Sequence, residues 1–584
     1  MRGVRLAPTL VVAALAFPAC GSHHNAAKGS SMQSAPADRE ADALGARYLE
    51  TYLSREPVAA TTAGDHRFDD RWPDRSPEAD ASLRKELDAT IRDADALLAR
   101  KNELSAPQRV DLEIVRNSAR YWLFSIDELK TDETNPVAWI GTLGDGLDPL
   151  LTRDFAPLPA RMASLRARLD GIPAVVAQAK RRLGRPARVY TETAIAQLAG
   201  LIGLVESDVP EAAKKVPDGA AIEASAKRAK AALQDLATFF EKELLPRSDA
   251  DFRLGRARFT QKLRFELDDD VDPDALAAAA RARLAETRRS MEQTALELFP
   301  SLFPGEPVPK TGDAALVKRV LGRLADERPT SETIVRDATR MLGEATEFVR
   351  KHDLVRVPDE PCRVIEMPEY RRGVSIAYCD ASGPLEPKQE TVFAIAPTPK
   401  DWSADRSLSF YKEYNSAMLA DLVVHEAMPG HFLQLMHNNR FPSRVRAVFS
   451  SGAFVEGWAV YAEHLMAMKG FGGPRVRIQR AKMLLRVSAN AVLDHGVHAM
   501  GMSEADALAL MQREAFQEEG EAVGKWKRAR LTGAQLSTYF YGYSRMISLR
   551  EAHEKRAGFS ERAFHDTLLS FGSPPPRHLP SLVP

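Results

Sequence analysis

The chain is predicted to be mainly α-helical, with one small antiparallel β-sheet set among the helices. Three observations lead there. Apolar residues recur at helical spacing, as in Leu44, Tyr48, Leu49, Tyr52 and Leu53. Helix starts are marked, as at Asp272-Pro273, an N-cap followed by proline at the first helical position. One stretch, residues 354–397, breaks the helical habit with short β-branched and aromatic runs bounded by Pro and Gly.

In chain order, the first segment is an address. Met1, Arg2 and Arg5 precede a short apolar run from Leu6 to Ala19, too short to span a membrane stably, and then Cys20-Gly21-Ser22. Phe17-Pro18-Ala19-Cys20 reads as a degenerate bacterial lipobox, so residues 1–20 are expected to be a lipoprotein-type signal peptide and Cys20 the lipidated residue. One lipid gives a tether, not a span. An ordinary exported protein cut nearby is the plainer alternative. Residues 21–37 are small and polar and read as a flexible linker, in which His23 and His24 have no expected role.

Helical patterns then dominate. The Ala-rich helix opened by Asp272-Pro273 is expected to run to about Leu298, and Ser503 with Asp506 forms a capping-box pattern. Within 354–397, Val364-Ile365, Val374–Tyr378 and Thr391–Ile395 are the expected strands. Cys362 and Cys379 flank the first two, and either a cross-strand disulfide or two buried thiols suits them. A soft boundary near residue 330 separates an N-terminal helical half (38–330) from a catalytic half (331–584), read as two halves of one body.

Composition narrows the function. The chain has 584 residues, 44% of them hydrophobic and 27% charged, ordinary for a globular protein able to bury a large core. Lys+Arg and Asp+Glu are 80 each, so no basic excess points to nucleic acid. Three cysteines exclude a disulfide scaffold and a multi-cysteine zinc ribbon. GxSxG, GxxxxGK[ST], GxGxxG and CxxC patterns are absent from the sequence.

The chemistry concentrates in a histidine cluster. Of 13 histidines, six lie between residues 425 and 498: His425, His431, His437, His464, His495 and His498. The run His425-Glu426-Ala427-Met428-Pro429-Gly430-His431 begins like a zinc-peptidase helix, in which two His bind the metal and the Glu is the general base. Its spacing differs: Pro429 stands at i+4 and the second His at i+6, about 240° round a regular helix. Both can hold one ion only if the helix is distorted between them, and Pro429-Gly430 supplies a cause. Glu456 is the expected third ligand, giving two His, one Glu and a water on a single Zn2+. Glu463, seven residues on, shares its helix face and is placed behind the ligands. A solvated acidic stripe is the bland alternative for both, and His464 is read as structural. Asp494 and His498 are i,i+4, so the carboxylate can orient an imidazole that stabilises an oxyanion. Gln535 and Tyr539 lie in a hydroxyl-dense run where aromatic packing is the alternative.

Together, HEAMPGHFLQ (425–434), EGWAVYAE (456–463), DHGVH (494–498) and GAQLSTYFYG (533–542) resemble the bacterial family catalogued as domain-of-unknown-function 885, many of whose members are lipoproteins. These motifs cover the C-terminal 160 residues or so. The resemblance implies a large helical, gluzincin-like metallopeptidase fold with a deep cleft beside the small sheet. It implies His425, His431 and Glu456 as zinc ligands, Glu426 as base, and Asp494, His498, Gln535 and Tyr539 along the cleft. The chain departs from the family pattern at Phe432, Gly533 and Ala534, and in His495 of the DHGVH run.

The expectation is a zinc-dependent peptidase acting on short or unfolded peptides, with Glu426, His498 and Tyr539 catalytic and the strand Thr391–Ile395 holding peptide backbone by edge pairing. The rivals are a non-catalytic envelope lipoprotein that binds peptides in its cleft, and a metal-dependent amidase on a non-peptide substrate. Partners expected are a peptide, no nucleic acid, and a membrane only through the lipid anchor on a periplasm-facing envelope protein. Oligomeric state is left open.

Overall fold

A computed structural model describes residues 36–367, 376–386, 390–399 and 402–583. The signal segment, Cys20, the linker through residue 35 and Val374-Ser375 lie outside the described residues. The chain is mainly α-helical with one three-stranded sheet.

Helix α1 (Pro36–Arg55) takes in the last two linker positions and buries Ala37, Ala41, Leu44, Tyr48 and Leu49, the helical stripe read from sequence. α2 (Pro77–Ala99) starts where the Ser76 side chain accepts from Ala79 N at 3.2 Å, and α3 (Ala106–Phe124) packs beside it. α4 (Pro136–Thr152), α5 (Leu158–Arg182) and α6 (Gly219–Phe239) share a separate core reaching from Trp139 to Leu244. The buried Arg168 ties this region together, donating to the Gly146 carbonyl at 2.6 Å and to Thr61 Oγ1 at 2.7 Å. Its desolvation is offset by those bonds.

After α7 (Gly255–Leu267), Asp272 caps α8 (Pro273–Leu302) as expected, accepting from Asp274 N at 3.0 Å. The helix runs four residues past Leu298. α9 (Ile334–Lys351) buries Ile334, Ala338, Met341, Leu342, Ala345 and Val349, a stripe of period 3.6. The main core runs from Ala280 to Val583 and takes in both α8 and α9, so residue 330 is no break in packing. Ser503 caps its helix as read, accepting from Asp506 N at 3.1 Å.

The sheet corrects the expected pairing. β1 (Arg363–Glu366), β2 (Ala377–Asp380) and β3 (Val392–Ile395) run in the order β1-β3-β2, with β1 and β3 parallel and β2 and β3 antiparallel. β3 is buried at all four positions and takes the centre, as a continuous apolar run does. With both its sides paired, Thr391–Ile395 cannot accept a peptide strand, which removes the edge-pairing role expected of it. The same topology leaves Cys362 and Cys379 as free thiols. They flank β3 on opposite sides, about two strand spacings or ~9.5 Å apart, beyond disulfide reach. Burial pushes the Cys362 thiol up to about 12 and the Cys379 thiol well above its usual value, so neither is a ready nucleophile.

Seven helices build the candidate site and its supports: α10 (Ser416–Glu426), α11 (His431–Arg440), α12 (Gly452–Met468), α13 (Gly473–Ala499), α14 (Glu519–Thr532), α15 (Ser537–Glu554) and α16 (Glu561–Leu569). α13 lies along α8. α12 and α15 cross in backbone contact: a methyl at Gly457 would stand 2.5 Å from the Gly542 carbonyl carbon. Only glycine at both positions lets the helices approach so closely.

Candidate metal centre

The His-Glu motif does not bend one helix; it ends one and begins another. α10 starts under the Asn415 cap, whose side chain accepts from Ala417 N and Met418 N, and stops at Glu426. Ala427–Gly430 form the turn, with a cis Met428–Pro429 peptide, and α11 starts at His431. Gly430 donates to the Val424 carbonyl at 3.0 Å, and a Cβ there would collide with the carbonyls of Val424 and His425. Trp458 Nε1 donates to the Pro429 carbonyl at 2.8 Å and pins the turn to α12. The i+6 spacing is thereby resolved: the two His sit on different helices that meet end to end.

Their rings meet edge to face, with centroids 4.8 Å apart. Glu456, in the second turn of α12 beyond its Ser451 cap, reaches both: its Oε2 is 3.8 Å from His425 Nε2 and 3.6 Å from His431 Nε2. One donor atom from each of the three residues lies within 4.8 Å of the others. Tetrahedral ligands about 2.05 Å from a zinc ion stand about 3.3 Å apart, so a small contraction closes the set. The separations exceed hydrogen-bond length, and Glu456 Oε2 is sealed from solvent with no donor. A buried, unsatisfied carboxylate oxygen facing two imidazoles fits a divalent cation. The three side chains keep 14, 12 and 22% exposure, so the cluster lies near the surface although Glu456 Oε2 itself is sealed.

Behind them, Glu463 is 1% exposed and its Oε1 lies 2.6 Å from His425 Nδ1. A proton on Nδ1 donated to this carboxylate leaves the Nε2 lone pair facing the centre, the orientation used for metal-bound histidine. Burial pushes the Glu463 carboxyl up to about 8, with Arg480 drawing it back. Burial lowers the His425 pKa, aided by His431. At His431 burial opposes protonation, yet the Glu456, Glu426 and Glu463 carboxylates outweigh it and raise the pKa. At Glu456 burial works upward, but His431 and His425 prevail and lower it. Glu426 is half-buried at the end of α10, and its charge acts on both His.

The remaining predicted residues divide. Tyr539 on α15 faces the centre: its hydroxyl acts on Glu456 and accepts from Arg528 Nη2 at 3.1 Å. Gln535 Oε1 accepts from the same Arg528 at 2.8 Å. His498 corrects the expectation of a catalytic imidazole. It is 2% exposed, stacked on Phe259, and its Nε2 donates to the Ala529 carbonyl at 2.7 Å. Asp494 does not hold it either. That carboxylate accepts from Ala534 N (2.8 Å), Ser537 N (3.0 Å) and Ser537 Oγ (2.8 Å), clamping the turn before α15. Ala534 there has φ +66°, a left-handed conformation strained for any residue with a Cβ. Asp494 thus holds the turn that carries Gln535, while His498 fastens to α14 through Ala529.

Of the six clustered histidines, only His425 and His431 converge. Burial and nearby Arg480 push His464 down to about 3, and His495 pairs with Asp274 at 2.8 Å. Sequence reasoning missed Arg486, Lys525 and Arg528, three cations on α13 and α14 beside the centre. The i,i+3 spacing of Lys525 and Arg528 was the available signal. A cavity of about 570 Å³, lined by Trp72, Trp122, Trp139, Arg75, Asp132 and Arg182 among others, lies in the N-terminal region and includes none of these residues.

Comparisons with known proteins bear on the family and the fold. The model of a family described as "Bacterial protein of unknown function (DUF885)" matches residues 57–583. No curated protein matches the chain. A solved structure described as "a putative lipoprotein of unknown function from Shewanella oneidensis" is 27% identical, with a TM-score of 0.76 over 92% of this chain and 98% of that one. A second, "the putative lipoprotein from Colwellia psychrerythraea", is 18% identical, with a TM-score of 0.75 over 94% and 98%, and shares the fold.

Proposed function

The chain belongs to this family of bacterial proteins of unknown function, and from the geometry of its own centre we propose that it is a zinc-dependent peptidase acting on short or unfolded peptides. One observation carries the reading: His425, His431 and Glu456 offer three donor atoms within 4.8 Å of one another, with Glu463 fixing the tautomer of His425. Zinc, when bound, supplies a Lewis acid and lowers the pKa of its water. His425, His431 and Glu456 would hold it and leave one position open. Glu426 takes the proton of the attacking water and delivers it to the leaving amine. Tyr539, whose oxygen accepts from Arg528, keeps its own proton to donate to the carbonyl oxygen as charge develops there.

The test pairs metal analysis with a peptide-library assay. Glu426→Gln is expected to retain about one zinc per chain and lose roughly 10²–10⁴-fold in kcat. A folded wild-type protein that carries no zinc and cleaves no peptide would sink the reading.

We also propose that the protein is exported and anchored at the cell envelope through a lipid on Cys20, facing the periplasm. The Phe17–Cys20 run supports this, as does the description of the 27% identical relative as a lipoprotein. Metabolic labelling with palmitate should mark the wild type and not Cys20→Ser; equal labelling of both would refute it.

A further inference from the structure

Three lysines are buried among the described residues, and two of them have carboxylate partners. Lys482 meets Glu413 at 2.7 Å and Lys262 meets Glu266 at 2.6 Å. The third, Lys525 on α14, is 7% exposed and has no hydrogen bond or ion pair. The charges acting on it are Arg486 and Arg528, both repelling, and the proposed ligand Glu456, attracting. Its ammonium therefore lies within electrostatic reach of the metal centre.

The surroundings sharpen the imbalance. Arg486 on α13 is paired with Glu521, one turn before Lys525 on α14. Arg528, one turn after Lys525, has neutral partners among the described residues, Gln535 Oε1 and Tyr539 Oη. Of Arg486, Lys525 and Arg528, only Arg486 is therefore paired with a carboxylate. Holding a largely buried lysine beside two arginines with no carboxylate of its own is costly, and burial with those neighbours depresses the Lys525 pKa well below normal. An arriving anion would relieve that cost and restore the charge. Arg528 also holds the hydroxyl of Tyr539, so an anion seated on Lys525 and Arg528 lies close to the bond being cut.

We infer that Lys525 and Arg528 receive the free α-carboxylate of a peptide's C-terminal residue, which makes the enzyme a carboxypeptidase-type exopeptidase. The bond cut rests on the peptidase reading above; the anion pocket rests on the missing partner of Lys525. Lysine supplies a point charge and arginine a planar fork, a pair suited to a carboxylate. Water adds across a peptide bond near the C-terminus, its hydroxyl going to the acyl carbon and its proton to the amine. A shortened peptide and a C-terminal amino acid or short fragment leave.

The test uses the full-length protein and two probes, N-acetyl-tetra-alanine as free acid and as C-terminal amide. Binding is measured by calorimetry on the Glu426→Gln protein, and turnover on the wild type. The acid is expected to bind about 100-fold more tightly than the amide, because the amide leaves buried cations unanswered. Lys525→Met should erase that preference while binding the amide as before, and Lys525→Arg should keep part of it. Lys525→Met should melt no lower than its parent, since it removes an unpaired buried charge. Equal binding of acid and amide would overturn the proposal, and so would a preference that survives Lys525→Met. Tight binding of an amidated peptide only when it carries Asp or Glu would assign the pocket to an acidic side chain and overturn it too. If the acid binds through Lys525 but nothing is cleaved, the carboxylate pocket stands and the peptidase reading fails. If both probes are cleaved at one rate, the peptidase reading stands and the pocket fails.

Discussion

Glu463 lies behind His425 at the candidate centre, and its 2.6 Å contact with Nδ1 turns the other ring nitrogen toward Glu456. Glu463→Gln keeps the shape but can present its amide N–H to Nδ1, favouring the wrong tautomer. Zinc affinity is expected to fall about 10–100-fold, read by competition with a chromogenic chelator, with the fold unchanged by circular dichroism. Unaltered affinity would mean that Glu463 serves packing alone. At this scale His425, Glu426, His431 and Glu456 were legible in sequence, because a His-Glu pair and a later carboxylate have few structural uses together. His498 misled for a physical reason. An i,i+4 carboxylate is equally suited to orient an imidazole or to cap a neighbouring turn, and Asp494 is spent on Ala534 and Ser537.

At the scale of elements, glycines set the distances. α12 and α15 touch through Gly457 and Gly542, which brings Glu456 and Tyr539 together. Gly457→Ala inserts a methyl against backbone that cannot yield as a side chain would. It is expected to destabilise by about 1–3 kcal/mol in chemical denaturation and to weaken zinc binding by displacing Glu456. Gly452→Ala, on the same helix with open space around it, should cost nothing measurable beyond its helix-propensity gain. Equal effects at the two positions would refute the crossing as the cause. The helix starts at Asp272 and Ser503 were legible because caps are local hydrogen bonds. The motif's helix break was only half legible: proline and glycine announced a distortion, but not that α10 ends and α11 begins. The order of the sheet was not legible, since strand direction depends on which strand claims the buried centre.

The molecule as a whole is held by buried polar links between distant segments. His565 on α16 is fully buried; its Nδ1 donates to the Leu354 carbonyl at 2.6 Å and its Nε2 accepts from Tyr461 Oη at 2.7 Å. Burial pushes its pKa down to about 4 from 6.5, so the fold requires the neutral ring. The stability it contributes is fully present above pH 6.5 and is lost as pH falls from 6.5 toward 4, on the order of 3 kcal/mol. Denaturant midpoints should therefore drop between pH 7 and 4.5, and drop less in His565→Asn, which begins from lower stability. A parallel fall in both proteins would show that other groups, such as His464 and His578 with their depressed pKa values, govern the acid response.

The sequence by itself determined the helical class, the site of the small sheet, the convergence of His425, His431 and Glu456, and the family. These rest on residue type and local period, which act over a few residues. The tertiary structure alone decided four matters: that β3 is central, that Cys362 and Cys379 stand apart, that Asp494 clamps a turn while His498 bonds helix α14, and that Lys525 is largely buried without an ion pair among the described residues. Each depends on which distant segment arrives beside a residue. In Lys525-Trp526-Lys527-Arg528 a basic run reads as a solvated face; only the packing of α14 against α13 and other elements buries most of Lys525.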